Sequence, residues 1–304
     1  MVRQKLLFEE AVGHYMLYCR ARGLAEKTIW TYRYALERLG QHMQLDGDGD
    51  GLPDKQTLRG FVQTMLQRGY ARSTISIRMR AIRSFTSFLV REGLLDVDPM
   101  RQVEIPRVPE RFPTILSTDE MRKLLRTARG SDWYRTRNYA VLATFCDTGL
   151  RLGELIGLSI DDVDLRSLEI RVRRGKGAKE RRVYMGRALA RAIRGWGRVR
   201  PFGRDGDAFF CTKDGRRLDA RNVGRIVTRV AKAAGLGARR VHPHLLRHTF
   251  ATHFIKNGGD PFSLQRLLGH SDIKTTMIYV NMAGADLEEA HAKASPVDRL
   301  SLSI

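Results

Sequence analysis

Four prolines fall within fifteen residues, at Pro99, Pro106, Pro109 and Pro113. Proline fixes its own φ, lacks a backbone N–H and biases the residue before it away from helix. No helix can run through such a stretch, so the chain must fold as two parts joined by a semi-extended connector. The reading is an N-terminal domain over residues 1–104, a linker over 105–114 and a second domain over 115–304. A chain of 304 residues has room for two domains, and 42% hydrophobic residues can supply a core to each.

The first part reads as four helices. Phe8, Val12, Tyr15, Met16 and Cys19 recur at helical spacing, as do Ile29, Tyr32, Leu36 and Leu39 behind Thr28 as a cap. Leu58, Val62, Met65 and Leu66 mark a third helix that ends near Gly69. Ser73 opens a fourth, with Ile75, Met79, Ile82, Phe85 and Leu89 on one face and Gly93 beyond it. Arg72, Arg78, Arg80 and Arg83 lie mostly off that stripe. Between the second and third helices runs DGDGDGLPD, residues 46–54. Asp46, Asp48, Asp50 and Gly51 match the start of an EF-hand loop, but the twelfth position is Thr57 where a bidentate Glu belongs. An acidic turn is the favoured reading, with calcium as the alternative.

The second part opens on Ser117-Thr118-Asp119-Glu120, a capping box. Helical periodicity follows over 118–128 and 137–146. Leu168, Ile170 and Val172 then alternate with charged residues, and Arg182-Val183-Tyr184-Met185 alternates again after a Gly- and Lys-rich turn, so 168–185 reads as a β-hairpin. Helices resume at about 187–200 and 219–234. Asp260-Pro261 reads as an N-cap followed by proline at the first helical position, with Gly269 ending that helix. The fold class is mainly α with a small β-sheet.

Charge sets the partner. Lys and Arg number 54 against 33 Asp and Glu, a net +21. Residues 1–110 hold 17 basic and 13 acidic residues, a net +4, so residues 111–304 carry +17. Residues 166–247 alone hold 24 basic and 6 acidic, interleaved with apolar positions, and so form a folded basic face. Nucleic acid is the first partner to expect, and an anionic membrane surface the second. Cys19, Cys146 and Cys211 are odd in number and form no CxxC pair, which argues for a reducing compartment and against a zinc site. No signal-peptide h-region and no span of ~20 apolar residues is present, so a cytoplasmic protein that does not enter membranes is expected.

Four clusters in the basic half carry chemistry: Thr148 to Leu155, Gly175-Lys176-Gly177, His242 to His248, and Leu267 to His270 with Tyr279 nine residues on. Two arginines, a lysine, two histidines and a tyrosine suit a phosphodiester at its transition state. Arginine grips two phosphate oxygens at once. Tyrosine, with an ordinary pKa near ~10, needs cations or a base before it attacks at neutral pH. Protein cations can do this electrostatic work without a metal.

This arrangement resembles the tyrosine recombinase (phage integrase) family, in particular its Xer-type site-specific recombinases. That family's catalytic set is Arg, Lys, His-x-x-Arg, His or Trp, and Tyr. The matching positions here are Arg151, Lys176, His244 with Arg247, His270 and Tyr279. HPHLLRHTFATH followed by LLGHSDIKTTMIYV is similar to the family signature, and TIWTYRYALERL and STISIRMRAIRSFTSFLVREGLL resemble its core-binding helices. Asp98-Pro99 departs from the Asn-Pro that relatives often carry, and the DGDGDG loop is unusual for a compact helical domain.

The resemblance implies a two-domain DNA clamp, with a helical core-binding (SAM-like) domain and a mixed α/β catalytic domain ending in an exchange tail. It implies that Arg151 and Arg247 hold the scissile phosphate while Tyr279 attacks it to give a 3′-phosphotyrosyl link. Lys176 is then the general acid, His244 assists proton transfer, His270 hydrogen-bonds the phosphate and Glu154 supports Arg151. Arg173, Arg174 and Lys179 of the basic hairpin join Arg72, Arg78, Arg80 and Arg83 as DNA-binding residues. No cofactor and no metal are implied, and no ATP. The partner is double-stranded DNA with inverted-repeat core sites, bound by a homotetramer or with a second recombinase. Leu287, Ala290, Ala294, Val297 and Leu300 give the tail an apolar pattern. A type IB-like DNA relaxase and a DNA-binding architectural protein without catalysis are the alternatives. Arg151 could be only a salt-bridge partner of Glu154, and Tyr279 only a core tyrosine. His248 and His253 are read as structural, because His244-Leu-Leu-Arg-His248 lacks the Glu of a zinc helix.

Overall fold

The computed structural model describes residues 7–45, 51–109, 112–173, 180–201, 207–284 and 295. The chain divides into two compact units, Met1–Arg111 and Phe112–Ile304.

The first unit is a four-helix domain: α1 (Phe8–Ala21), α2 (Glu26–Leu45), α3 (Lys55–Gln67) and α4 (Arg72–Arg91). Its core forms where the apolar stripes of these helices meet, with Tyr15, Leu36, Leu39, Leu58, Met65, Ile75, Met79 and Phe85 fully buried. The cap positions differ from the sequence reading. Thr28 lies inside α2, and α4 begins at Arg72 behind Ala71, which offers no side-chain cap. Leu66 is exposed, whereas Phe61 is buried. The acidic loop at 46–50 lies outside the described residues. Thr57, its twelfth position, is taken up in capping α3, its N–H donating to Asp54 Oδ1 at 2.8 Å. Asp98 caps the single turn Pro99–Gln102, accepting from the Met100 N–H at 3.0 Å.

The second unit is helical around a small sheet. Its elements are α5 (Thr118–Ala128), α6 (Trp133–Thr148), α7 (Leu152–Gly157), β1 (Val163–Asp164), β2 (Glu169–Val172), β3 (Arg181–Tyr184), α8 (Arg187–Val199), α9 (Ala220–Ala233), α10 (Pro243–Lys256), α11 (Pro261–Leu268) and α12 (Lys274–Ala283). The Ser117 box closes as read: Ser117 Oγ accepts from the Glu120 N–H, and Glu120 accepts from the Ser117 N–H. Asp260 caps α11 through the N–H groups of Phe262 and Ser263.

Helix α6 runs through the middle, with every residue from Ala140 to Phe145 buried, and packs on α5, α8 and α10. A helix apolar on all sides must be enclosed by others. The sheet is antiparallel in the order β1-β2-β3, with Ile170 opposite Val183 and Val172 opposite Arg181. The short strand β1 was not legible from the sequence. Alternation along β3 turns Val183 and Arg181 to the inner face and leaves Arg182 and Tyr184 exposed. An arginine therefore enters the covered side of the sheet and must find a partner there.

Candidate active site

Three helix ends build the site. Helix α6 stops at Gly149, whose φ of +61° is the left-handed turn that ends a helix. That turn sets Arg151 at the N-cap of α7. Helix α10 carries His244, Arg247 and His248 within its first two turns, capped by His242, whose Nδ1 accepts from the Leu245 N–H. Helix α11 stops at Gly269, φ +64°, and His270 follows at once. Helix α12 brings Tyr279 back against α10 and α11.

The C-terminal end of α11 is where the arginines meet. The last carbonyls of a helix have no partner within it and form its negative pole. Here three successive carbonyls each accept from a different guanidinium. Arg181 Nε donates to Leu267 O at 2.7 Å, Arg247 Nη2 to Leu268 O at 2.7 Å, and Arg151 Nη2 to Gly269 O at 3.2 Å. Arg247 also donates from Nη1 to Gly149 O at 2.7 Å, so it ties the end of α6 to the end of α11.

Glu154 balances this charge. Its carboxylate accepts from the Arg151 N–H at 2.8 Å, Arg151 Nη1 at 2.9 Å, and Arg181 Nη1 and Nη2 at 2.8 Å each. Burial alone would raise its pKa. Hydrogen bonds and charge from Arg181, then Arg151, outweigh that and hold it down to about 2. So Arg151 is a salt-bridge partner of Glu154, and it also reaches the carbonyl beside His270.

His270 sits between Arg247 and Thr276. Arg247 Nη2 is 3.0 Å from His270 Nε2, and Thr276 Oγ1 is 2.9 Å from Nδ1. A guanidinium can only donate. Nε2 therefore accepts, and Nδ1 carries the proton and donates to Thr276. Burial, followed by the charges of Arg247, Arg151 and Arg181, depresses the His270 pKa to about 4, which keeps the ring neutral. The same crowding lowers Arg247 to about 10, through burial first and then Arg151.

Tyr279 is 4% exposed, with its ring stacked at 17° and 6.4 Å on that of His270. Its hydroxyl lies 2.8 Å from His248 Nδ1. Burial raises its pKa, and Arg247 and Arg151 offset part of that rise. His244 stands on the exposed side of α10, with its ring 6.5 Å from that of His242.

The structure thus brings together Arg151, Arg247, His270, Tyr279 and Glu154, with His244 on the same helix as Arg247. Lys176, Arg174 and Lys179 lie outside the described residues. Arg72, Arg80 and Arg83 are exposed on α4. Arg78 is not a free surface cation: it is buried, with its guanidinium 4.4 Å from the Tyr70 ring centre and 5.5 Å from that of Tyr34. The helical periodicity that placed it off the apolar stripe missed that aromatic cover. Arg173 is paired with Asp162, which Arg171 also approaches at 3.5 Å. Among the described residues no group of three or more His, Cys, Asp or Glu is placed to hold a metal ion. No helix among them is long and apolar enough to cross a membrane.

Sequence reasoning missed two residues. Arg181 could have been found as an arginine in phase with Val183, on the inward side of an alternating strand. His248 was set aside as structural. That reading fits His253, whose Nε2 lies 2.9 Å from Leu116 O, but His248 touches the tyrosine hydroxyl.

Known proteins share this architecture. The model described as "Phage integrase family" matches residues 114–285, and "Phage integrase, N-terminal SAM-like domain" matches residues 14–93. Tyrosine recombinase XerC of Escherichia coli O139:H28 is 35% identical over 288 residues, covering 94% of this chain and 96% of the relative. Tyrosine recombinase XerD of Halalkalibacterium halodurans is 33% identical over 281 residues, covering 90% and 93%. The structure of the Tn1549 transposon integrase in complex with a circular intermediate DNA superposes with a TM-score of 0.76 at 20% identity, covering 93% of this chain and 98% of that one.

Proposed function

From the premise that this chain belongs to the phage integrase family and is a tyrosine site-specific recombinase, we propose that Tyr279 is the nucleophile that cuts its DNA. Arg151 and Arg247 then hold the scissile phosphate, and His270 hydrogen-bonds it. The observation that carries this reading is the convergence of Arg151, Arg247, His270 and Tyr279 on one end of α11, although up to 128 residues separate them (279 − 151). A core tyrosine or a lone surface ion pair gives no reason for a buried Arg247 and a half-buried Arg151 beside it.

The proposed chemistry is phosphoryl transfer to a phenol. Phenolic oxygen attacks phosphorus, the P–O5′ bond breaks, and the chain is held as a 3′-phosphotyrosyl ester. Charge gathers on the non-bridging oxygens, where the fixed guanidiniums oppose it. A guanidinium has five N–H donors, more than Arg247 uses on carbonyls and His270 among the described residues. His270 presents an acceptor at Nε2 and must gain a proton there to donate to phosphate. The phosphate's own charge favours that proton, so binding and protonation are coupled. Lys176 protonates the departing 5′-oxygen and His244 assists. Because the phosphotyrosyl ester keeps the bond energy, rejoining needs neither ATP nor metal.

The ligand is duplex DNA. Arg72, Arg80 and Arg83 on the exposed face of α4 support a contact with its backbone. The substrate is taken as inverted-repeat core sites and the assembly as a homotetramer, on the apolar pattern Leu287, Ala290, Ala294, Val297 and Leu300. The test is a covalent adduct. The protein is mixed in EDTA with nicked duplexes cut from DNA that flanks its own gene, then denatured. An adduct that vanishes in Tyr279→Phe is expected. An adduct that survives that change removes Tyr279 from the role.

A further inference from the structure

The attack by Tyr279 leaves one proton to place. The phenolic O–H must be gone by the time the O–P bond is complete. Arg151 and Arg247 keep their protons and cannot accept another. Both ring nitrogens of His270 are engaged, by Arg247 and Thr276. His244 lies on the exposed side of α10. His248, one residue after Arg247 on that helix, has its Nδ1 2.8 Å from the Tyr279 hydroxyl, with the two rings 5.7 Å apart at 42°.

We propose that His248 is the general base for Tyr279. Its Nδ1 takes the phenolic proton as the oxygen attacks phosphorus, and returns it as the phosphotyrosyl bond breaks during rejoining. The P–O5′ bond breaks in the first step and its oxygen is protonated by a separate acid, so His248 gains and loses one proton per cycle. This rests on Tyr279 being the nucleophile.

The surroundings suit a base. The charged and titratable groups around His248 are His242, His244 and Arg247 on α10, His270 after α11, and Tyr279 on α12. Burial first, then the charges of His244, Arg247 and His242, lower its pKa, so the ring is neutral at pH 7 and Nδ1 can accept. Burial raises the pKa of Tyr279, so the phenol stays protonated until something takes its proton. The distance is within the reach required of a proton acceptor.

His248→Gln separates chemistry from support, because its amide oxygen can accept a hydrogen bond but cannot take up the proton. On the nicked flanking-DNA duplexes, single-turnover adduct formation at pH 7 should fall by about 100-fold. The loss should shrink as pH rises, since hydroxide replaces the base. A defect of one constant factor from pH 6 to 10, or a rate within about threefold of the parent, overturns the proposal. In a second arm, nitrogen-15 spectra of the full chain should show His248 Nδ1 as unprotonated and shifted by Tyr279→Phe. A proton on Nδ1 overturns the proposal, and this arm decides alone if the parent protein forms no adduct on these duplexes. An adduct in Tyr279→Phe defeats the nucleophile reading. Loss in Tyr279→Phe with His248→Gln unimpaired defeats only the base.

Discussion

Arg181 and Glu154 meet as a two-pronged ion pair, Nη1 to Oε1 and Nη2 to Oε2 at 2.8 Å each. The side chains are 11% and 4% exposed, so the pair is nearly dry. Arg181 also holds Leu267 O, and Glu154 also holds Arg151. A strand of the hairpin, the N-terminus of α7 and the end of α11 are thereby fixed to one another. Arg151 is aimed through this frame.

Cutting the frame on one side leaves charge stranded. Arg181→Met removes two of the four hydrogen bonds on Glu154 and leaves that carboxylate with Arg151 alone. Removing one partner of a buried pair costs about 3 kcal/mol. Urea unfolding of the full chain should register a loss near that size, together with weaker adduct formation. A loss below about 0.5 kcal/mol, typical of exposed pairs, would show that the frame is not strained open by the change.

Stability should fall with acid in two stages. The folded pKa of His270 is about 4 against an ordinary 6.5. The unfolded chain therefore takes that proton first, and stability drops as pH falls from 6.5 to 4. Glu154 sits at about 2 against 4.5. Its contribution is complete above pH 4.5 and is lost as pH falls towards 2. Each difference, 6.5 − 4 and 4.5 − 2, corresponds to about 3 kcal/mol. Denaturation curves taken across pH should show the upper stage flattened in His270→Asn and the lower one in Glu154→Gln. An unchanged slope between pH 6.5 and 4 in His270→Asn would refute the first assignment.

Two neighbouring glycines should behave oppositely. Gly149 has φ +61°, and a Cβ there would run into the Phe250 ring and meet Leu268 at 3.0 Å. Its carbonyl also holds Arg247. Gly149→Ala should cost about 2 kcal/mol or more and depress cleavage. Gly153 lies in the first turn of α7 with nothing within 4 Å of an added Cβ, so Gly153→Ala should be neutral or slightly stabilising. Thermal unfolding of both variants checks the contrast.

Salt should tell the arginines of α4 apart. Arg80→Ala and Arg83→Ala should each reduce the slope of log affinity against log salt by about one. Arg78→Met should leave that slope alone and instead destabilise the first unit, because its guanidinium stacks on Tyr70 and Tyr34. A reduced slope in Arg78→Met would restore it to the DNA-binding set.

How much was legible depended on whether the signal was local. The Ser117-Glu120 box, the Asp260-Pro261 cap and the Gly269 stop each act over three or four residues, and each formed as read. The strand β1, with two residues, is too short to show a period. Arg78 looked like a surface cation because periodicity reports the side of a helix, not what lies over that side. Arg181 drew no role from the sequence because its partner, Glu154, is 27 residues away.

The sequence by itself determined the helical stripes, the break at the proline run, the basic second half and the ordered positions Arg151, Lys176, His244, Arg247, His270 and Tyr279. These are matters of spacing and residue type, which a chain carries before it folds. Only the tertiary structure decided which carbonyl each arginine holds, that His270 presents an acceptor at Nε2, and that His248 lies against Tyr279. Each depends on side chains from separate elements of the fold sharing one buried space. There, hydrogen bonds that water would otherwise satisfy must be made within the protein, and their partners are fixed by packing over long separations.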